Sequence, residues 1–162
     1  EMQRSLVGSE MCIRDSPQTS LGNTSFYLDS GKDPLFAFGY GLSYSTFEYS
    51  DLNLSSNEVN ANDTLTVTAT IKNTSDIDGT EVVQLYVRDL VGSITRPVKE
   101  LKGFQRLALK ASEAQTVSFK LPISELAFYG KDLIKKVEAG QFDIWVAPNS
   151  TEGLKGSFTV KE

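Results

Sequence analysis

The chain has 162 residues, with 21 acidic against 16 basic side chains and a formal net charge of −5. At 40% hydrophobic and 23% charged it has the composition of a globular domain with its own core. Its longest basic cluster is Lys135-Lys136, so the basic stripe of a nucleic-acid binder and the polybasic patch of an anionic-membrane binder are both excluded. There are no histidines, which rules out Ser-His-Asp and Cys-His nucleophiles and removes the commonest metal ligand. Cys12 is the only cysteine, so neither an internal disulfide nor a cysteine zinc site can form. No stretch approaches the roughly 18 apolar residues that a bilayer-spanning helix needs.

Residues 1–16, EMQRSLVGSEMCIRDS, hold both methionines and the only cysteine, and follow neither helical nor strand periodicity. The apolar run Leu6-Val7 is far shorter than the roughly 7–15 residues of a signal-peptide core. The segment resembles a translated sequencing-adaptor peptide and is read as a disordered artefact, with the natural chain interrupted upstream of Pro17. Residues 17–34 form a polar connector punctuated by Pro17, Gly22, Asn23, Gly31 and Pro34. Five aromatics then fall within 36–47: Phe36, Phe38, Tyr40, Tyr44 and Phe47. Gly39 and Gly41 disfavour a regular helix or strand there, so this stretch is expected to be an irregular strap packed against something else. Its five aromatics are the candidate interdomain residues.

Strand signals begin at Phe47. Residues 47–54 alternate apolar with polar except at Asp51. Leu65, Val67, Ala69 and Ile71 alternate with threonines, the cleanest period-2 pattern in the chain. A turn at 73–79 leads into 81–88, where Val83, Leu85 and Val87 share one face. Val82, Gln84 and Tyr86 share the other, so both faces of this strand are expected to be covered. A segment at 99–109 is interrupted by Gly103. Val117, Phe119 and Leu121 mark the next strand, and 122–130 is a connection with a helical turn around Glu125. Phe142, Ile144 and Val146 alternate with Trp145 on the opposite face, and Phe158 and Val160 close the chain. About seven strands at short spacing, with no competing helical period, predict an all-β fold: an immunoglobulin or fibronectin type III-like antiparallel sandwich. The expected division is 1–16 artefact, 17–46 connector and strap, and 47–162 sandwich domain.

Four stretches, in order, carry a family resemblance. Residues 34–47, PLFAFGYGLSYSTF, are similar to the "PLFPFGYGLSYTTF" stretch of family 3 glycoside hydrolases, the β-glucosidases and β-xylosidases. Residues 71–87 resemble that family's "V-N-T-G…D-G-x-E-V-V-Q-L-Y-V", residues 96–104 its "R-P-x-K-x-L-K-G-F", and residues 139–146 its late "P-G-x-F-x-V-x-V-G". Phe26-Tyr27-Leu28-Asp29 also resembles the family's approach to the first motif. Ser75 and Ala147 replace two of its glycines, which is tolerable where φ stays negative.

The resemblance implies the C-terminal fibronectin type III-like domain of an enzyme that hydrolyses terminal β-glycosidic bonds with two carboxylates. Both catalytic carboxylates belong to domains outside these motifs, so no catalytic residue is carried over and this fragment is expected to be inactive alone. No cofactor and no metal site are expected. The partners implied are the catalytic domains of the same chain and, secondarily, an oligosaccharide. The parent protein is expected to be periplasmic or secreted.

The chain's own carboxylates, Asp76, Asp78, Glu81, Asp89, Glu100 and Asp143, read as turn and surface charges. Asp76-Ile77-Asp78-Gly79 is not a calcium loop, because its glycine is misplaced and Val87 stands where the last ligand would be. Gly39-Tyr40-Gly41 lacks the third glycine of a dinucleotide site, and Ser43 has no histidine to activate it. The alternative to an accessory domain is a carbohydrate-binding or adhesive module, for which Tyr40, Tyr44, Tyr86 and Trp145 are the ring-stacking candidates. Sequons at Asn23, Asn53, Asn62, Asn73 and Asn149 are read as turn-forming residues rather than glycan acceptors.

Overall fold

The computed structural model describes residues 35–161. The adaptor-like segment and the connector read from the sequence lie outside them.

The described chain is a sandwich of two sheets. One has three strands: β1 (Phe47–Leu54), β3 (Thr64–Asn73) and β6 (Ala114–Pro122), in the order β1-β3-β6. The other has five: β2 (Glu58–Asn60), β4 (Gly79–Asp89), β5 (Glu100–Leu109), β9 (Gly140–Ala147) and β10 (Leu154–Lys161), in the order β2-β10-β9-β4-β5. All pairings in these sheets are antiparallel except β2 with β10. A two-stranded ribbon of β7 (Phe128–Tyr129) and β8 (Lys135–Lys136) follows a 3-10 turn at Ile123–Leu126. The seven longer strands are those that the alternation marks. The three short ones, of two or three residues each, are too brief to show a period.

Alternation places one face of each long strand in the core. Leu65, Val67, Ala69 and Ile71 of β3 are all 0% exposed. They face Val83, Leu85 and Val87 of β4 and Phe142, Ile144 and Val146 of β9 across the sandwich. Each such Leu, Val or Ile contributes about 1.5–3 kcal/mol by leaving water. Phe142 and Phe158 stack with ring centroids 5.4 Å apart.

Asp51, the break in the β1 pattern, is a β-bulge. Its φ is +53°, and the register with β3 shifts between Ser50 and Asn53. The extra residue rephases the strand, so Phe47, Tyr49, Leu52 and Leu54 all pack on the same core. Gly103 likewise lies at a register shift in β5.

The turn from β3 to β4 is built around Asn73, which is 0% exposed. Its Nδ2 donates to the carbonyls of Ile77 (2.8 Å) and Lys110 (3.1 Å). Its Oδ1 accepts from the backbone N–H of Ser75 (3.0 Å) and from the Ser75 hydroxyl. The serine that replaces a family glycine thus adds a bond and keeps a negative φ, as does Ala147. Ala147 is matched by Gly153, where φ is +114° and any Cβ would lie 2.4 Å from the Ala147 methyl. Both Asn73 and Asn149 are buried and bonded, while Asn53 and Asn62 are exposed; Asn23 lies outside the described residues.

Candidate functional site

The outer face of β4 carries Val82, Gln84 and Tyr86. Residues 35–46 cross over the last two as an irregular strap, turning at Ala37–Tyr40 through a 3.0 Å backbone bond. Gln84 and Tyr86 are only 5% and 1% exposed, although they point away from the sandwich core. Buried amide and phenol groups need partners, and the strap supplies them. Gln84 Nε2 donates to the carbonyls of Gly39 (3.0 Å) and Pro148. The Tyr86 hydroxyl donates to Gln84 Oε1 and lies 3.4 Å from the Phe38 carbonyl oxygen. Burial pushes the Tyr86 hydroxyl up to about 12, so it stays a donor at all ordinary pH. The Phe38 ring meets that of Tyr86 edge-on at 6.5 Å.

Gly39 permits this closeness. Its φ is +78°, and a Cβ there would fall 2.1 Å from Gln84 Oε1 and 2.6 Å from the Tyr86 hydroxyl. At the far end of the strap, Ser45 is buried and donates to the Asp78 carbonyl at 3.2 Å.

The strap's own aromatics mostly face outward. Tyr44 is 99% exposed and Phe36 63%, while Phe36 and Tyr40 stack at 5.2 Å. Leu35 and Leu42 are also exposed, as are Val82 of β4 and Phe104 of β5. Phe47 differs from its neighbours: it belongs to β1 and packs against the core.

Between the strap and the sheet lies an open groove of about 880 Å³, walled by Phe38, Tyr40, Leu42 and Phe104, with Glu81 and Gln84 among its polar groups. Glu81 accepts a 2.9 Å bond from the Tyr49 hydroxyl. Burial holds the Glu81 carboxyl above its ordinary range despite that bond, and holds the Tyr49 hydroxyl above its own.

The ring-stacking candidates separate. Tyr40 lines the groove and Tyr44 stands in the open. Tyr86 is sealed beneath the strap and presents no face to a sugar, because the strap covers the strand face on which it lies. Trp145 is half-buried, with Lys99 Nζ 4.2 Å and Lys155 Nζ 5.5 Å from its ring centroid. Alternation along β9 correctly puts Trp145 on the outer face, but the ammonium groups occupy the space over its ring.

Of the carboxylates that the sequence offers, Asp89 and Glu100 come near one another beside Arg96, and each is held by bonds of its own. Glu100 bridges Arg96 and Lys102 (2.7 Å), Asp143 pairs with Lys155 (2.7 Å), and Asp78 accepts from the Ala111 N–H (3.0 Å). Asp89 accepts from the Val91 N–H at 3.1 Å. Gln84 and Phe104 are not among the site residues that the sequence singles out, and Glu81 reads there only as a turn or surface charge. A polar Gln between Val83 and Leu85 in an apolar run was the available signal for the first.

Residues 81–150 match the fibronectin type III-like domain family. The chain is 49% identical over 137 residues to a β-xylosidase of Formosa agariphila and 38% identical over 145 residues to a periplasmic β-glucosidase of Salmonella typhimurium. These matches cover 83% and 90% of the chain but only 19% of each relative. Among solved structures, a β-glucosidase from Listeria innocua in complex with gluconolactone superposes with a TM-score of 0.80 at 42% identity, over 90% of this chain and 21% of that one. The chain is therefore a fibronectin type III-like β-sandwich. More particularly, it belongs to the C-terminal fibronectin type III-like domains of the family 3 glycoside hydrolases, and it spans about a fifth of the length of the relatives it matches.

Proposed function

We propose that this domain is a non-catalytic brace of a β-glucosidase-like glycoside hydrolase, and that the strap is its docking element. The observation that carries this reading is the clamp of Gln84 and Tyr86 on Gly39 and Phe38. It fixes the strap's backbone to the sandwich while Phe36, Tyr40, Leu42 and Tyr44 remain turned outward. Contiguous exposed aromatic and aliphatic groups on a rigid support are what a docking face requires. In this reading the sandwich proper begins at residue 47, residues 17–46 connect it to the catalytic domains, and hydrolysis of terminal β-glycosidic bonds belongs to those domains. The parent protein works outside the cytoplasm, in line with the relative named periplasmic.

The test has two arms. The purified chain is assayed on nitrophenyl β-glucoside and β-xyloside, and no turnover is expected. The corresponding segment of the Listeria innocua enzyme is then replaced by this chain, and a soluble, active chimera is expected. Turnover by the chain alone would overturn the reading, as would full activity and stability of the enzyme with the segment simply removed.

A second reading, a carbohydrate-binding module, is favoured by the groove, where Tyr40 and Phe104 flank polar side chains. Calorimetric titration with cellooligosaccharides separates the two. Saturable binding that is lost in Tyr40→Ala supports the module, and the absence of heat supports the brace alone.

A further inference from the structure

The outer face of the five-stranded sheet carries a second feature that the strap does not explain. Trp145 pairs in register with Tyr86 of β4 on one side and Lys155 of β10 on the other. Arg88 stands two residues beyond Tyr86, opposite Asp143. Lys99, just before β5, reaches across to the Trp145 ring. Arg88, Lys99 and Lys155 thus share one face with Asp143, which is taken by Lys155 at 2.7 Å; Glu58, at the β2 edge of that face, is taken by Lys161. Among the described residues no ion pair involves Arg88 or Lys99.

This excess of positive charge is held in a chain whose net charge is −5. Burial, then Arg88, then Lys155 hold the Lys99 ammonium below its ordinary range, so the cations do act on one another. Like charges kept together against their repulsion gain stability when an anion is brought to them.

The patch is also joined to the strap. Lys99 Nζ donates to the Ser150 carbonyl, and the Ser150 N–H donates to the Phe38 carbonyl at 2.9 Å. An apolar strap with a charged flank is the layout of a protein–protein face. A sugar ring would need the Trp145 face that the lysines occupy.

We infer that Arg88, Lys99 and Lys155 around Trp145 form a recognition surface for a carboxylate-rich protein segment. Opposite charge on that segment replaces the mutual repulsion of the cations. The Arg88 guanidinium and the two lysines lying over Trp145 present the charge that such a segment would meet, with the ring as their support. The inference stands on charge and placement, and does not require that the strap's partner be a glycosidase.

Trp145 is the sole tryptophan, so its fluorescence reports on this surface alone. The full chain is titrated with a hexaglutamate peptide at low salt. The expected result is a saturable change in Trp145 emission, weakened at least tenfold by 0.5 M sodium chloride. Charge reversal in Arg88→Glu with Lys155→Glu should weaken it at least tenfold as well, with the circular dichroism spectrum unchanged. The single variant Arg88→Ala, and the salt dependence of the unaltered chain, serve if the double variant does not fold. No saturable change, or a response indifferent to both salt and Arg88, would overturn the inference. So would an equal or stronger response to polygalacturonate or to phosphatidylserine vesicles, since the surface would then not be one for protein.

Discussion

The carbonyl oxygen of Gly39 lies 3.0 Å from Nε2 of Gln84, a hydrogen bond between residues 45 positions apart that ties the strap to the sheet. Everything proposed for the strap depends on that closeness, and Gly39 is where it is most easily broken. Gly39→Ala puts a methyl into a φ of +78° and into the space of Gln84 Oε1. The left-handed backbone alone costs about 1–2 kcal/mol. The expected outcome is a strap released from an otherwise intact sandwich. Limited proteolysis should cleave the variant near residues 36–44 much faster than the parent, with the thermal midpoint lowered only slightly. Equal cleavage rates would show that the strap is not held here.

Tyr86→Phe tests the other half of the clamp. It keeps the buried ring and the edge-on contact with Phe38 but removes the hydroxyl that donates to Gln84 Oε1. A buried acceptor left without its donor costs about 1–3 kcal/mol. Chemical denaturation should show a loss of that size, with an unchanged slope against denaturant. A loss as large as that of a core truncation would mean that the ring had moved.

Asn73→Ala should be far more damaging than its polar surroundings suggest. The side chain closes the β3–β4 turn onto the backbone before β6 through Ile77 and Lys110; removing it takes one donor from each of those carbonyls and the acceptor from the Ser75 N–H. With several buried bonds lost, about 2–4 kcal/mol is expected. Asn53→Ala, on the exposed edge strand β1, should lie within about 0.5 kcal/mol of the parent. Parallel urea melts of the two variants check the contrast.

The same residues show how far the sequence could be read. The sandwich was legible because period-2 alternation reports burial directly, and β3 is the clearest case. The breaks in alternation were legible as places but not as causes: Asp51 is a bulge and Gly103 a register shift, and neither has a local signature beyond the interruption. The strap was visible as a cluster of aromatics between glycines. Its seat was not, because the partners Gln84 and Tyr86 lie some 45 residues away and no periodicity links them. Tyr86 was drawn toward sugar stacking for the same reason: a tyrosine on an outer face looks exposed until the covering segment is placed. The charged surroundings of Trp145 depend on β4, β9, β10 and the chain before β5 lying side by side, and that is a property of topology alone.

The Glu81–Tyr49 pair sets the last expectation, a pH dependence. Because burial raises the Glu81 carboxyl, the folded state binds its proton more tightly than the unfolded chain does. The resulting contribution to stability is fully present below the unfolded value of 4.5 and is lost as pH rises through the folded value. Glu81→Gln removes the buried charge and leaves an amide oxygen to accept from the Tyr49 hydroxyl. The variant should therefore gain on the parent as pH rises from 4 to 8, and be closest to it, or below it, at the acid end. Asp89 is also raised by burial and keeps its own slope in both proteins, so the quantity to follow is the difference in thermal midpoint between them. Parallel profiles across that range would show that Glu81 ionises in the groove without penalty, and would remove it as the groove's pH-sensitive group.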